Sequence, residues 1–390
     1  MVASKVPLEV PTLNLMSDLD IVRLRVYAVA PDVTPLYRFT GTDEACTLYY
    51  NIVRLTTRGG VEGAAGVLSE DDDDDPHSFA DAFRPVIGGL IGKNLLQREA
   101  IATDLLAART APIPDPESLL EIAMWDAFAR DIDMPLYRLL GGVRERIPAY
   151  ASSPVFETIE EYLDYVRLIR GMGYPAVKFH TQCDLEFDLE MTAAVSAAFA
   201  STGLRFMVDL EQVYDYDSAV RLGRALCDMP CDWLEAPLDD TAIDAYAELR
   251  RAVAVDIISA GNTVVELPAM ADAIERGAWS RLHCDPCNVG GIVAARSAMA
   301  LASAHGLKTE LQSYGYPLSQ AANLHLMLGV PGCSYFEHPV PVEHYEYACA
   351  NPIRIEADGC VRAPDGPGLG LDLDWKRIER DASLVIDTDR

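Results

Sequence analysis

Residues 205–235, RFMVDLEQVYDYDSAVRLGRALCDMPCDWLE, contain the unit that decides the fold. Two short apolar segments, Arg205–Val208 and Asp232–Leu234, are predicted strands, and the longer Ala/Leu-rich stretch between them is a predicted helix. A carboxylate, Asp209 or Glu235, directly follows each strand. A strand, a crossover helix and a second strand of this length form a βα unit in which the two strands run parallel.

The same unit repeats on both sides of this stretch, and eight strands are predicted in all. The other six are Ile147–Ala151, Ala176–Phe179, Asp256–Ser259, Arg281–Cys284, Lys308–Leu311 and Ser334–Phe336. Eight βα units indicate a closed (β/α)8 barrel, whose active site lies at the carboxyl ends of its strands. An open doubly wound sheet has the same local pattern and is the alternative. The barrel is favoured because only a ring lets the polar residues that follow the strands converge.

The chain before the barrel has a different texture. Three strands are predicted there, at Ile21–Ala28, Leu48–Thr56 and Val61–Gly66, and an apolar stripe at three- and four-residue spacing predicts a helix from Pro116 to Ile132. We therefore predict a separate α+β unit at 1–145 and the barrel at 146–345. The acidic run Asp71–Asp75 is interpreted as a solvated loop, because adjacent like charges resist ordering.

Composition narrows the class of protein. The chain has 60 acidic and 32 basic residues among 390, a net charge of −28, and half of its residues are hydrophobic. Such a surface repels phosphate backbones and anionic lipid, so nucleic acid and membranes are not expected partners. No apolar run approaches the ~18 residues of a membrane span. Nine scattered cysteines fit a reducing compartment. We expect a cytoplasmic globular enzyme.

Polar residues at the strand ends suggest a metal site. Asp209, Glu235 and Asn262 follow three consecutive strands, and their oxygen donors favour Mg²⁺ over zinc. Ordinary turn residues are the alternative. Lys178 and His180 lie two apart on one strand and so point to the same, interior face. They are interpreted as proton-transfer residues beside an anionic substrate, and an ion pair of Lys178 with Asp209 is compatible with that role.

A set of motifs, in order along the chain, resembles the mandelate racemase/muconate lactonising branch of the enolase superfamily. They are the Lys178-Phe179-His180 strand, which matches K-x-K with its second lysine replaced; Val208-Asp209; Trp233-Leu234-Glu235-Ala236-Pro237; Asp285 to Gly290-Gly291-Ile292; and Pro367-Gly368-Leu369-Gly370. The resemblance implies an N-terminal α+β capping domain, a C-terminal (β/α)8 barrel, and a segment, 346–390, that returns to the capping domain.

The resemblance also implies a chemistry and a set of roles. This family removes the proton next to a carboxylate, and a divalent ion stabilises the resulting enolate. Asp209 and Glu235 then become ligands of one Mg²⁺, and Asn262 occupies the third ligand position, where most members have Glu. Glu337 matches a protonated acid that donates a hydrogen bond to the enolate; a carboxylate paired with Lys or Arg is the alternative.

Two departures from the family pattern bear on the reaction. Gln312 occupies the place of the histidine that partners Asp285 in the racemase branch, and an amide accepts no proton at neutral pH. His180 replaces the lysine that ordinarily acts as base, and an imidazole is competent in that role. The sequence therefore favours a one-base reaction. Glu211 is interpreted as an additional carboxylate near the metal or as a substrate-selecting group.

The remaining candidates concern substrate recognition. Tyr37 and Arg38 fall in the cap segment that closes over the site in this family, and Gln312 and His338 lie near the barrel mouth. We expect a Mg²⁺-dependent dehydratase of a sugar acid or related hydroxy-carboxylate, forming a homo-oligomer as this family usually does. An epimerase, racemase or cycloisomerase of the same fold, with Asp285 or another base on the second face, is the first alternative. A catalytically silent sugar-acid-binding homologue is the second.

Overall fold

The computed structural model describes residues 18–31, 48–69, 76–108 and 116–389. Tyr37, Arg38 and the acidic run Asp71–Asp75 lie outside these ranges. No helix in the described ranges is both long and apolar enough to cross a bilayer.

The N-terminal unit is an antiparallel sheet covered by helices. Its elements are β1 Ile21–Val29, β2 Tyr49–Thr57, β3 Glu62–Ser69, α1 Pro76–Asp81, α2 Arg84–Ile87, α3 Arg98–Ala108, α4 Pro116–Asp131 and α5 Leu136–Leu139. Helix α4 lies directly on β3. A Cβ atom on Gly63 of β3 would lie 2.2 Å from the Ala123 carbonyl oxygen of α4, so this contact requires a glycine.

Eight parallel strands with intervening helices follow. They are β4 Ile147–Ser152, α6 Ile159–Met172, β5 Ala176–His180, α7 Leu185–Phe199, β6 Arg205–Asp209, α8 Tyr216–Leu226, β7 Cys231–Glu235, α9 Ile243–Ala252, β8 Ile257–Ile258, α10 Leu267–Glu275, β9 Arg281–Cys284, α11 Pro286–Val289, α12 Gly291–Ala304, β10 Lys308–Leu311, α13 Pro317–Gly329 and β11 Phe336–Pro339. The pairing order is β11-β4-β5-β6-β7-β8, with β9 and β10 as a separate parallel pair.

Hydrogen bonds between the two groups of strands close the ring. The Ser280 N–H donates to the Ile257 carbonyl oxygen at 2.8 Å, which joins β9 to β8. On the other side the Ser334 N–H, just before β11, donates to the Glu310 carboxylate of β10 at 3.0 Å. First and last strands, β4 and β11, pair in parallel. The predicted barrel is therefore confirmed, and the open doubly wound sheet is excluded.

Strand ends differ from the prediction where side chains replace ladder hydrogen bonds. Strand β11 begins at Phe336 and not at Ser334, because the Ser334 N–H is bound by the Glu310 side chain. Strand β8 is only Ile257–Ile258. The Ala260 N–H beyond it donates to the Asp240 carboxylate.

The chain after the barrel returns to the N-terminal unit. It contains β12 Cys360–Val361, α14 Trp375–Asp381 and β13 Ala382–Asp387. Strand β13 pairs antiparallel with β1, which gives the N-terminal sheet the order β13-β1-β2-β3. Asp387 also binds Arg23 of β1, with 2.6 Å between Nη2 and Oδ2.

A buried carboxylate joins the N-terminal unit to the barrel. Glu121 of α4 accepts the N–H groups of Ile292, at 2.7 Å, and Val293, at 3.3 Å, in the first turn of α12, and its own helix supplies the Trp125 indole at 2.7 Å. A carboxylate at a helix N-terminus satisfies N–H groups that have no partner within the helix. Gly291 has φ +90°, and a Cβ there would lie 2.1 Å from Glu121 Oε2. This docking contact thus explains Gly291 of the sequence motif, whereas a Cβ atom on Gly290 would lie 2.5 Å from Leu106 Cδ2 of α3.

Candidate active site

A buried cluster of four charged side chains lies at the carboxyl ends of β5, β6, β7 and β11. The Lys178 Nζ lies 2.9 Å from Asp209 Oδ2, 2.7 Å from Glu235 Oε1 and 3.0 Å from Glu337 Oε1. Lys178 is 2 % exposed. Burial by itself lowers the pKa of Lys178, but the three carboxylates outweigh it and hold that pKa well above its usual value. Lys178 is therefore a permanent ammonium ion.

The cluster carries more negative than positive charge. Three carboxylates against one ammonium leave a net charge of −2 in a site closed to bulk solvent, a costly arrangement unless protons or a cation offset it. Burial accordingly raises the pKa of Glu235 well above its usual value. Asp209 and Glu235 are directly paired in register on β6 and β7. Both the charge and the oxygen donors fit a divalent cation such as Mg²⁺.

His180 lies beside the same cluster, and its contacts fix which ring nitrogen carries the proton. Its Nδ1 lies 2.6 Å from the Ser153 carbonyl oxygen. A carbonyl only accepts, so Nδ1 carries the proton and Nε2 is the basic atom. Nε2 lies 3.5 Å from Asp209 Oδ2 and 3.4 Å from Glu211 Oε1. Burial lowers the pKa of His180 below its usual value, which favours the neutral ring.

Glu211 reaches this cluster through an unusual backbone conformation. Its φ is +49°, and that of Gln212 is +64°, both in the left-handed region that L-residues rarely adopt. The side chain is 40 % exposed, so it lies at the border between the buried site and solvent. Single ligand atoms of His180, Asp209 and Glu211 all lie within 4.8 Å of one another, a grouping that could hold a metal ion.

Asn262, the third predicted ligand, follows the end of β8. It is exposed, and its Oδ1 accepts the Thr263 hydroxyl at 3.3 Å. The preceding residue, Gly261, has φ +79°, and a Cβ atom there would lie 3.0 Å from the His283 ring. Asp209 and Glu235 are thus buried and adjacent, whereas Asn262 is exposed, and its place as the third ligand stays a prediction.

Glu337 is surrounded by donors. It accepts the Ser152 hydroxyl at 3.0 Å and the N–H groups of Ser313 and Tyr314 at 3.0 and 3.2 Å, in addition to the Lys178 contact. Burial raises the pKa of Glu337, but Lys178 together with His283 and His180 offsets that effect, so the net shift is downward. The protonated acid expected from the family is therefore not the form that this structure favours. The alternative, a carboxylate paired with Lys, describes the arrangement.

Asp285 and Gln312 do not form a dyad. Asp285 caps α11, where its Oδ1 accepts the Cys287 N–H at 2.8 Å and the Asn323 amide at 3.0 Å. Burial raises the pKa of Asp285 to about 6. Gln312, partly buried, donates its backbone N–H to the Cys284 carbonyl oxygen. Asn323 thus takes the partner position at Asp285.

His338 lies on the other face of β11. Neighbouring residues of a strand point to opposite faces, so His338 faces away from the barrel interior that Glu337 occupies. Its Nδ1 lies 2.6 Å from the Tyr174 hydroxyl, and burial lowers its pKa to about 3. His338 is a core residue here, and the predicted substrate contact is not supported.

His283 of β9 belongs to the site and was not predicted. It is 2 % exposed, its Nδ1 lies 2.8 Å from the Ser259 carbonyl oxygen, and the same atom is 3.9 Å from Glu235 Oε1. The signal was present in the sequence: His283 lies two residues before Asp285, as Lys178 lies two before His180. Alternation along the strand places it on the interior face.

Comparison with known proteins agrees with this geometry. The family described as Enolase C-terminal domain-like matches residues 161–377. D-galactarolactone cycloisomerase of Agrobacterium fabrum is 28 % identical over 65 % of this chain and 70 % of its own length. L-talarate/galactarate dehydratase of Salmonella typhimurium is 28 % identical over 74 % of this chain and 72 % of its own. Racemases occur at similar identity.

Solved structures share the whole fold. The crystal structure of a Pseudovibrio sp. protein of the mandelate racemase/muconate lactonizing enzyme type is 34 % identical, with a TM-score of 0.92 over 96 % of this chain and all of that one. The Salmonella dehydratase has also been solved with Mg and a hydroxamate bound; it is 23 % identical and has a TM-score of 0.82, over 99 % of this chain and 97 % of that one.

Proposed function

This chain belongs to the enolase superfamily as a member of the mandelate racemase/muconate lactonizing type, and we propose from that membership that it is a dehydratase of a sugar acid. In the proposed reaction it removes the proton next to the substrate carboxylate and eliminates water. One observation carries the proposal: Lys178 contacts three buried carboxylates, and beside it the Nδ1 of His180 is bound to the Ser153 carbonyl oxygen, which leaves Nε2 as the basic atom.

His180 is the proposed base. Lys178 cannot accept a proton while three carboxylates hold it as an ammonium ion. His180 Nε2 can take the α-proton, and the imidazolium can then return that proton to the leaving hydroxide, so one residue serves both steps. The hydrogen bond from Nδ1 to Ser153 keeps the ring in the required tautomer.

Lys178 is proposed to bind the substrate's acid group, and the carboxylates are proposed to hold a metal ion and to orient Lys178. Its ammonium ion stabilises the negative charge of the substrate carboxylate, and it does so more strongly as further charge develops on the carboxylate oxygens in the transition state. Asp209 and Glu235 would hold Mg²⁺, with Asn262 as the third proposed ligand. When bound, that ion would supply positive charge that stabilises the enolate and so lowers the pKa of the substrate's α-C–H group. Glu337, ionised here, would orient Lys178.

The proposed substrate is a small hydroxy-carboxylate. D-galactarolactone cycloisomerase and L-talarate/galactarate dehydratase match this chain at equal identity, which supports a sugar-acid substrate class but not the choice of reaction. Glu211, half exposed beside His180, is the proposed contact for a substrate hydroxyl group. Tyr37, Arg38 and Gln312 remain proposed substrate contacts, and a homo-oligomer remains the proposed assembly.

A panel of aldonic and aldaric acids, incubated in D₂O with Mg²⁺, tests the proposal. A dehydratase gives a 2-keto-3-deoxy acid, seen by NMR, whereas an isomerase gives deuterium incorporation or an isomer without loss of water. His180→Asn should lower turnover at least about 100-fold, the usual contribution of a general base. His305→Asn, an exposed histidine, is the matched control. A protein that binds these acids but yields neither product nor exchange would be the silent homologue.

A further inference from the structure

We propose that Asp240 is a positioning residue, which fixes the turn after β8 relative to the ends of β6 and β7. The segments at these three strand ends contain the proposed metal donors Asp209, Glu235 and Asn262. The proposal rests on the cation site proposed above and deepens it, because it names a group that sets the spacing of the donors. Asp240 lies between β7 and α9 and is fully buried, and its own oxygens are not among the proposed ligands.

The first argument is the contact from Asp240 to the turn after β8. Its Oδ1 accepts the Ala260 N–H at 3.0 Å and lies 3.0 Å from the Tyr246 hydroxyl of α9. Strand β8 ends two residues before Ala260, so this hydrogen bond holds the backbone where the strand ladder has stopped. Only Gly261 separates Ala260 from Asn262. A shift of the bonded N–H would therefore also displace the proposed third ligand.

The second argument is the contact from Asp240 to the chain after β6. Its backbone N–H donates to Gln212 Oε1 at 2.9 Å, and the Gln212 N–H donates to the Ala236 carbonyl oxygen at 2.7 Å. Gln212 lies three residues after Asp209. Ala236 directly follows Glu235. Asp240 thus binds the segments after β6 and β8 at once, from within the segment after β7.

The third argument is the backbone conformation that these contacts hold. Glu211, Gln212 and Ala236 have φ angles of +49°, +64° and +43°, in the left-handed region that residues with side chains rarely adopt. Such conformations are costly and persist only where the surrounding contacts fix them. All three residues lie within three positions of a proposed ligand on β6 or β7. The hydrogen bond from Asp240 to Gln212 is therefore part of what keeps those ligands in place.

The side chain of Asp240 permits a matched pair of variants. Its Oδ1 accepts the Ala260 N–H and lies at hydrogen-bond distance from the Tyr246 hydroxyl. Asparagine has the same shape and one carbonyl oxygen, so it can keep both contacts. Alanine removes both contacts and leaves the backbone hydrogen bond to Gln212 in place. The pair thus separates the hydrogen bonds of the side chain from its charge.

The test measures Mg²⁺ binding by calorimetric titration, and by the rise in melting temperature with MgCl₂, in the wild type, Asp240→Ala and Asp240→Asn. Asp240→Ala should bind Mg²⁺ at least about 10-fold more weakly, the usual effect of removing a group that orients metal ligands. Asp240→Asn should bind it nearly as tightly as the wild type. The melting temperature without MgCl₂ measures the loss of stability separately from the loss of binding.

Two further variants distinguish positioning from stability. Tyr246→Phe removes a hydroxyl group from the same carboxylate oxygen without touching the turn after β8. It should lower the melting temperature and leave the Mg²⁺ affinity unchanged. Gln212→Ala, which removes the acceptor of the Asp240 N–H, is the second variant if Asp240→Ala does not fold, and it should weaken Mg²⁺ binding likewise.

The outcomes separate this role from the proposed function. Wild-type Mg²⁺ affinity in Asp240→Ala, or in Gln212→Ala where that variant replaces it, would overturn the positioning role. An equally weakened affinity in Tyr246→Phe or in Asp240→Asn would overturn it as well. No Mg²⁺ binding by the wild type would overturn this role together with the cation site. A wild type that binds Mg²⁺ and turns over no sugar acid would overturn the proposed dehydratase alone, because the role of Asp240 is measured by binding.

Discussion

At the scale of single residues, Lys178 determines the electrostatics of the site. Its ammonium ion contacts three buried carboxylates at 2.7–3.0 Å. A buried ion pair adds little to stability compared with an apolar replacement of both partners, but removing one partner leaves an uncompensated charge. The lysine is therefore needed before any substrate or ion arrives.

Lys178→Met tests this role and the cation site together. The variant should lose about 3–5 kcal/mol of unfolding free energy, because three buried carboxylates lose their counter-charge. Added MgCl₂ should raise its melting temperature by more than it raises that of the wild type, because a dication replaces the missing charge. Calorimetry with and without MgCl₂ measures both effects.

The matched control is Lys308→Met, since Lys308 is exposed and its Nζ only approaches the Ser334 hydroxyl. It should change neither stability nor the response to MgCl₂ appreciably. Equal MgCl₂ responses in Lys178→Met and the wild type would contradict a cation site at these carboxylates.

Residue patterns predicted part of this site. Lys178, His180 and Asp209 were placed together because strand alternation and parallel strand ends are readable from spacing. Asn262 stays a predicted ligand; it is exposed and follows a turn at Gly261 that lies against the His283 ring, which is a tertiary contact. The ionised form of Glu337 depends on donors from β4 and from the segment after β10. No local pattern contains that information.

At the scale of elements, Glu121 is the contact by which α4 holds the first turn of α12. Its two oxygens accept hydrogen bonds from three N–H groups, so both Oε1 and Oε2 must act as acceptors. Burial raises its pKa from 4.5 to about 7. A carboxyl group whose pKa is higher in the folded than in the unfolded protein stabilises the fold in its protonated form. This stabilisation is fully present below the pKa of the unfolded state, near 4.5, and is lost as the pH rises through about 7.

Glu121→Gln should therefore change stability in a pH-dependent way. At pH 6 the variant should be less stable by about 1–3 kcal/mol, because its amide N–H₂ faces a backbone or indole N–H. Between pH 6 and 8 the wild type should lose stability and the variant should lose less. Urea unfolding at pH 6, 7 and 8 measures the difference, and Glu99→Gln, exposed on α3, is the control. Parallel pH curves for wild type and variant would contradict this assignment.

The presence of each helix and strand was more predictable from the sequence than the residues at which it begins and ends. The eight barrel strands were all found because short apolar runs between Ala/Leu-rich helices have a strong period. Strand β8 was predicted as four residues and has two, since side chains such as Asp240 take over the backbone groups beyond it. Helix α4 was predicted almost to its last residue, although its buried surface extends beyond the apolar stripe to Glu117, Glu121 and Asp126.

At the scale of the whole molecule, the N-terminal sheet is completed by β13. Deletion of residues 382–389 should lower the melting temperature by several degrees, because β1 loses its edge partner and Arg23 loses Asp387. For a chain of this size, a loss of about 1 kcal/mol of unfolding free energy lowers the melting temperature by at most ~4 °C. Limited proteolysis should also cut the N-terminal sheet faster. The barrel, β4 to β11, should stay folded, so most of the circular dichroism signal should remain.

Val385→Thr, which changes an exposed side chain of β13 and leaves its backbone hydrogen bonds in place, is the control. Unchanged melting and proteolysis after the deletion would show that β13 is dispensable. The pairing itself could not be read from local sequence, because Arg23 and Asp387 are separated by 364 positions. The ordered motifs of the family indicated only that the chain returns to this region.

That separation has a consequence for biosynthesis. While the ribosome is still translating the barrel, β1 already exists but its edge remains open, and open strand edges favour association with other nascent chains. Only after residue 387 leaves the exit tunnel can the N-terminal sheet be finished. Slow translation of the residues between the barrel and β13 would thus prolong the interval in which that edge stays open.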